Sequence, residues 1–153
     1  MAQRPFQEKK LLIIAEAGVA HNGSVDDAFA LCSIAKTAGC DAVKFQVYQP
    51  RDIWTEAEDI KKREKLQLSL AEYSKVFEFA RSIGLLAGAS FFSYYGQNIQ
   101  KQCDFIKVAS RSYPDSMPSL SSGIPVLVSC GKHLPAEPNG DWIYMACVSQ
   151  YPT

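Results

Sequence analysis

Two lysines lie inside apolar segments of this sequence, where an unpaired charge is costly. Lys44 follows Asp41-Ala-Val and Lys107 follows Asp104-Phe-Ile, so the pattern Asp-x-x-Lys occurs twice. An ammonium group in such a segment needs an anion or oxygen acceptors to compensate it. If the two lysines come together, they would suit a phosphate or a carboxylate, which lysine binds as a compact positive charge.

Further polar residues occur within or just after the apolar segments. The carboxyl ends of parallel strands meet at the edge where α/β proteins place their active sites, so we expect these side chains to converge there. The simpler interpretation is that each lysine only pairs structurally with Glu16 or a nearby aspartate. The candidates are Glu16, Gln46, Ser90, Ser110, Ser129 and Ser149, with His21 and Asn22 in a polar loop after the first segment.

The elements that would position these residues follow a repeated order: a segment with apolar residues at helical spacing, then a glycine, then a short apolar strand. Predicted helices begin at Ser24 and Ser69, each with an acidic partner three residues later, and a shorter one spans 116–122. A short helix is expected at 94–101 and a charged insertion at 51–67. The predicted strands are Leu11–Ala15, Asp41–Val47, Leu85–Ser90, Phe105–Ala109, Ile124–Ser129 and Trp142–Val148.

Alternating strands and helices predict an α/β fold with a parallel sheet buried on both faces. An open flavodoxin-like sheet and a (β/α)₈ barrel both satisfy this pattern. Within the second strand, Lys44 and Gln46 share one face, while Phe45 and Val47 take the other. Between Gly131 and Asp141 no helical stripe is present, so the fifth helix is predicted to be reduced to a loop.

Composition narrows the class of protein. The 153 residues include 16 basic and 16 acidic side chains, which does not favour a nucleic-acid or membrane-surface partner. No apolar run approaches the roughly 20 residues of a membrane span. The five cysteines show no C-x-x-C spacing, and we interpret them as reduced and structural in a cytoplasmic protein.

Five ordered motifs make the chain resemble the sialic acid synthase (N-acetylneuraminate synthase) family. They span nearly the whole sequence and are Ile13-Ile-Ala-Glu-Ala-Gly-Val-Ala-His-Asn-Gly23, Ala38-Gly-Cys-Asp-Ala-Val-Lys-Phe-Gln46, Phe105-Ile-Lys-Val-Ala-Ser110, Ile124-Pro-Val-Leu-Val-Ser129 and Cys147-Val-Ser-Gln-Tyr-Pro-Thr153. The resemblance implies an incomplete (β/α)₈ TIM barrel of about six parallel strands. Residues 1–153 would form this single partial domain, without the family's C-terminal antifreeze-like domain.

The resemblance also implies a reaction. The family condenses phosphoenolpyruvate with an N-acetylated hexose such as N-acetylmannosamine, giving a nonulosonic acid and phosphate. Glu16 resembles the carboxylate beside the reacting carbons, and His21, Asn22 and Gln46 are possible substrate contacts. The residues that resemble the phosphoenolpyruvate ligands are Lys44, Ser90, Lys107, Ser110, Ser129 and Ser149.

The sequence departs from the family in ways that bear on catalysis. A divalent metal, Mn or Mg, is expected for the family, but its two histidine ligands belong to strands seven and eight, and neither His21 nor His133 matches them. Ala20 and Ala146 replace the usual Asn and His. We therefore expect no metal ligands here, no activity from this chain alone, and either a homo-oligomer or completion by another chain.

Two other functions remain open from the sequence. One is a Schiff-base aldolase that uses Lys44 or Lys107 as its amine. The other is a degenerate barrel that serves as a binding or assembly protein.

Overall fold

A computed structural model describes residues 11–92, 94–110, 120, 123–131, 139 and 142–148. Its six strands form one parallel sheet in the order β1-β2-β3-β4-β5-β6. Sequential order is typical of a barrel wall, whereas a flavodoxin-like sheet places its first strand inside the sheet. The strands are β1 (Ile14–Gly18), β2 (Ala42–Val47), β3 (Leu86–Phe91), β4 (Phe105–Val108), β5 (Val126–Ser129) and β6 (Trp142–Met145).

Three α-helices and two short 3₁₀ helices accompany the strands. They are α1 (Val25–Thr37), α2 (Ala57–Glu64), α3 (Leu70–Ser82) and the 3₁₀ segments Pro50–Asp52 and Gln97–Gln102. Ser24 Oγ accepts a hydrogen bond from the Asp27 amide, and Ser69 and Glu72 form a reciprocal capping box. Both predicted helix starts are therefore confirmed, and the charged insertion contains α2. Within the described residues, no helix is long and apolar enough to cross a membrane.

The two faces of the sheet have different neighbours. On β2, Val43, Phe45 and Val47 belong to the main hydrophobic core shared with α1 and α3. The opposite face carries Lys44 and Gln46, so the strand parity expected from the sequence is confirmed. Near the amino ends of the strands this inner face is apolar, with a cluster of Ala42, Phe105 and Leu127 contacted by Ile14, Leu86 and Met145.

The first strand differs from its predicted position. It spans Ile14–Gly18 rather than Leu11–Ala15, so Glu16 lies within the strand and does not close it. Its register explains the shift, because Ile14 pairs with Ala42 and Glu16 pairs with Lys44. The run of apolar residues from position 11 was the wrong guide, since pairing with β2 sets the boundary.

Two predicted features fall largely or wholly outside the described residues. The predicted helix at 116–122 is described only at Leu120, and the loop predicted in place of a fifth helix is described only at Gly131 and Asn139. The last strand is described as four residues, shorter than the predicted Trp142–Val148.

Candidate functional site

Lys44 connects three strands on the inner face of the sheet. Its Nζ lies 2.9 Å from Glu16 Oε2 on β1 and donates a 2.7 Å hydrogen bond to Ser90 Oγ on β3. The lysine side chain is buried, with 5% of its surface exposed, whereas that of Glu16 is 63% exposed. The carboxylate therefore faces the open side of the site, and the ammonium lies beneath it.

Lys107 lies on β4, and its backbone is in register with Ser90, the residue whose hydroxyl Lys44 binds from β2. Its Nζ donates hydrogen bonds to Ser129 Oγ at 2.6 Å and to the Val108 carbonyl at 3.0 Å. Burial and then the neighbouring charge of Lys44 lower the pKa of Lys107 to about 8, against a smaller opposing effect of Glu16. The ammonium form of Lys107 is thus destabilised, and a bound anion would stabilise it.

The site contains more positive than negative charge. Among the described residues, Lys44 has the Glu16 carboxylate, while Lys107 has only neutral oxygen partners. Within the part of the chain that the structure describes, the structural-pairing interpretation fits Lys44, whereas no carboxylate contacts Lys107. The excess is one positive charge, and a negative oxygen beside Lys107 would compensate it.

The aspartates of the two Asp-x-x-Lys patterns do not serve as the lysines' counter-ions. Asp41 Oδ2 accepts a 3.0 Å hydrogen bond from the Ile13 amide, and Asp104 Oδ2 accepts a 2.8 Å bond from the Ala87 amide. Each aspartate thus binds the backbone at the amino end of the preceding strand. The repeated pattern ties strands together at one end and places an ammonium at the other.

Cys147 also belongs to the site, although it was not among the residues predicted from the sequence. Burial alone raises the pKa of its thiol, but hydrogen bonds from the Gly131 amide, Ser129 and Ser110 lower it overall, with help from the Lys107 charge. The Gly131 amide lies 3.1 Å from Cys147 Sγ. Two of the candidate serines, Ser129 and Ser110, therefore lie within hydrogen-bonding distance of this thiol. Its position directly after the sixth apolar strand was the available signal.

Other predicted residues lie at different places. Gln46 lies on the same face as Lys44, in register with Ser90. His21 is fully buried on the helix side, with its ring centroid 6.0 Å from the centroids of both Phe45 and Tyr73. The ring thus packs among aromatic side chains of the core, and a substrate contact for His21 stays a prediction.

Asn22 is exposed and has a positive φ of 50°. Its side-chain amide donates a 3.2 Å hydrogen bond to the Ala20 carbonyl, so it shapes the loop. Ser149 and His133 lie outside the described residues.

A metal ion does not fit the residues that are described. In that part of the chain, no group of three or more histidine, cysteine, aspartate or glutamate side chains is placed to hold one. His21 Nδ1 already accepts a hydrogen bond from the Gly23 amide. The groups that the described residues bring together are two lysines, hydroxyl groups and the Glu16 carboxylate.

Comparison with known proteins identifies relatives along nearly the whole chain. The NeuB family model matches residues 31–153. An uncharacterised protein of Methanocaldococcus jannaschii is 32% identical over 92% of this chain and 47% of its own length. The pseudaminic acid synthase of Campylobacter jejuni is 27% identical over 95% of this chain and 52% of its own length. The chain thus spans about half the length of these curated relatives.

Solved structures agree on the fold. The N-acetylneuraminic acid synthetase of Leptospira borgpetersenii superposes with a TM-score of 0.75 at 23% identity, covering 94% of this chain and 56% of that chain. A spore coat polysaccharide biosynthesis protein E homologue from Chromobacterium violaceum gives a TM-score of 0.74 at 23% identity, over 94% and 51% of the two chains. At this identity the likeness concerns the fold.

Proposed function

Because the chain belongs to the NeuB family, we propose that it carries the phosphoenolpyruvate-binding part of a synthase that condenses phosphoenolpyruvate with an N-acetylated hexose such as N-acetylmannosamine. Relatives named pseudaminic acid synthase and N,N'-diacetyllegionaminic acid synthase support a nonulosonic acid product. The proposal concerns a synthase of which this chain supplies the first six strands.

One observation carries the proposal: two buried ammonium groups, on the strands β2 and β4 that flank β3, come with a single carboxylate, that of Glu16, which pairs with Lys44. Phosphoenolpyruvate has a phosphate and a carboxylate on adjacent positions of a small planar molecule. Lys44 and Lys107 would bind these two groups, while Ser90, Ser110 and Ser129 would orient them through hydroxyl hydrogen bonds.

The chemistry assigned to these residues is positioning and charge stabilisation. The C3 methylene forms the new bond to the aldehyde carbon of the sugar, water adds to C2, and inorganic phosphate leaves from C2. Lysine charges held in place before the reaction stabilise the phosphate as it departs. Glu16, beside Lys44 and open to the site, is suited to hold or pass a proton near C3.

A divalent Mn or Mg ion remains an expectation for the whole synthase. The described residues do not provide a set of ligands for it. Every role assigned here therefore belongs to lysine, serine and glutamate side chains of this chain.

Calorimetric titration without added metal tests the proposal. Phosphoenolpyruvate should bind more tightly than pyruvate or inorganic phosphate, because only phosphoenolpyruvate presents both acidic groups. Absence of binding at millimolar phosphoenolpyruvate would overturn it. Where binding holds, the chain by itself should release no phosphate with N-acetylmannosamine and manganese above a Glu16→Gln control, and clear release would contradict the expected inactivity of this part alone.

A Schiff-base aldolase is the second candidate, and the lowered pKa of Lys107 favours it. An amine with a pKa of about 8 has a usable neutral fraction near neutral pH, as imine formation requires. Borohydride treatment with pyruvate would then leave a permanent adduct on Lys107. Under the synthase proposal, mass spectrometry finds no adduct.

A further inference from the structure

Gly88 lies on β3 between Lys44 on β2 and Phe105 on β4, and it is the backbone partner of both. Across the inner face, Glu16, Lys44, Gly88 and Phe105 are register partners on successive strands and form a lower row. One step toward the carboxyl ends, Gln46, Ser90, Lys107 and Leu127 form an upper row. Both rows are therefore aligned by backbone pairing.

The ring of Phe105 fills the space that a side chain at residue 88 would need. A Cβ built on Gly88 would lie 2.2, 2.4 and 2.5 Å from Cζ, Cε2 and Cε1 of that ring. Gly88 is not among the residues with positive φ, so its backbone would accept another residue. The three atoms nearest to this Cβ all belong to the ring. The ring is fully buried and reaches across from β4 to β3.

Both lysine side chains extend toward the carboxyl ends of the strands. Lys44 begins in the lower row beside the ring, and its Nζ lies at Ser90 in the upper row. Lys107 begins directly above Phe105 on the same strand, and its Nζ extends further up to Ser129. The Phe105 ring occupies the space over Gly88, one row nearer the amino ends than Ser90, so that space is filled by closely packed atoms.

We propose that Gly88 is a positioning residue: its missing side chain lets the Phe105 ring form the floor of the two-lysine site and thereby sets where the lysines hold an anion. The identity of that anion as phosphoenolpyruvate rests on the proposed function. The role of the Phe105 ring as a floor does not depend on the proposed function.

Three variants and one control test the floor. Gly88→Ala forces the ring to move, so phosphoenolpyruvate affinity should fall at least about tenfold, a typical effect of misplacing a binding group. Phe105→Leu removes about the volume that the alanine methyl adds, so the double variant should recover to within about threefold of wild type. Gly39→Ala is the control for a general loss of stability. Its φ of +81° strains an alanine backbone, but no atom lies within 4 Å of the added Cβ, so no neighbouring side chain is displaced.

A second readout is independent of phosphoenolpyruvate. The pH dependence of amine labelling at Lys107, followed by mass spectrometry, reports its titration. In Phe105→Leu the loss of the ring admits water, so the midpoint should rise by about half a pH unit or more. Lys101 is exposed and supplies the internal reference.

The outcomes separate the two proposals. If wild-type protein fails to bind phosphoenolpyruvate but Lys107 titrates higher in Phe105→Leu, the floor stands and the proposed function falls. If Lys107 titrates identically in wild type and Phe105→Leu, the floor is overturned. The floor is also overturned if a folded Gly88→Ala variant binds phosphoenolpyruvate as tightly as wild type, or if the double variant does not recover the lost affinity. Should Gly88→Ala fail to fold, the Lys107 titration decides.

Discussion

Lys107 Nζ lies 2.6 Å from Ser129 Oγ, although the backbone register pairs Lys107 with Leu127, two residues earlier on β5. The lysine side chain therefore extends along the strand toward its carboxyl end. There it meets a hydroxyl group and a carbonyl, but no carboxylate among the described residues. The Lys107 ammonium, near the carboxyl end of the sheet, therefore has no anionic partner among the described residues.

The first prediction concerns the contribution of this charge. Lys107→Ala should weaken phosphoenolpyruvate binding by about 1.5–3 kcal/mol, the range for a hydrogen bond to a charged group, which corresponds to about 10- to 150-fold in Kd. Calorimetry measures the change. Lys101→Ala is the matched control, because Lys101 is exposed on the 3₁₀ helix before β4. Equal affinities for the two variants would remove Lys107 from the site.

The second prediction concerns pH. Lys107 is charged below its pKa of about 8, so phosphoenolpyruvate affinity should be highest below that pH and should decline as pH rises through it. The limiting slope is about tenfold per pH unit for one required proton. Lys107→Arg should remove this decline because arginine stays charged. A wild-type affinity that is flat between pH 7 and 9.5 contradicts the prediction.

Much of this site could be predicted from strand parity. The alternation around Lys44 placed it with Gln46 on one face, and the repeated Asp-x-x-Lys pattern indicated that Lys107 joins it there, although Lys107 lies one row nearer the carboxyl ends of the strands. Helix starts were also predictable, because Ser24 and Ser69 carry local capping signals. Such features depend on neighbours in sequence.

Features that depend on distant neighbours could not be predicted. Glu16 was expected at the end of β1, but pairing with β2 places it within the strand. The polar loop around His21 gave no sign that its ring packs against Phe45 and Tyr73. The close approach of Gly88 and Phe105 brings together residues on different strands, and no local pattern reports it.

The third prediction concerns His21 and stability. Burial lowers its pKa below the ordinary 6.5, while Asp27 opposes the shift, so the folded state binds fewer protons than the unfolded state just below that pH. Protonation would also break the bond from the Gly23 amide to Nδ1. The free energy of unfolding should therefore decrease as pH falls below about 6.5, by up to about 1.4 kcal/mol per pH unit from this residue.

Urea unfolding at several pH values measures this effect, with His21→Gln as the comparison. Glutamine keeps an acceptor but does not titrate, and the second histidine is present in both proteins. The difference in slope between the two proteins isolates His21. Parallel curves from pH 7.5 to 5 would contradict the prediction.

The fourth prediction is that the 153-residue chain, expressed by itself, self-associates. In the described sheet β1 and β6 each pair with one neighbour, and strands with an open edge tend to pair further. Large apolar residues are exposed beside these edges, including Ile13 at 49%, Ile143 at 42% and Val148 at 69%. Light scattering should give a mass of at least two copies of the 16.9 kDa chain.

Two charged substitutions test the origin of this association. Ile143→Lys places a charge on β6 and should shift the protein toward the monomer. Ile34→Lys makes the same change on α1, where the isoleucine is 63% exposed, and should have no effect. A monomeric wild-type chain, or equal effects of the two substitutions, would argue against pairing through the sheet edge.

Lys44 and Lys107 are proposed to hold one anion with two acidic groups together. A crystal structure of the protein with phosphoenolpyruvate measures this directly. We expect one phosphoenolpyruvate molecule whose phosphate and carboxylate oxygens lie within about 2.7–3.2 Å of the two Nζ atoms. A phosphoenolpyruvate molecule bound elsewhere, or one that contacts neither lysine, would contradict it.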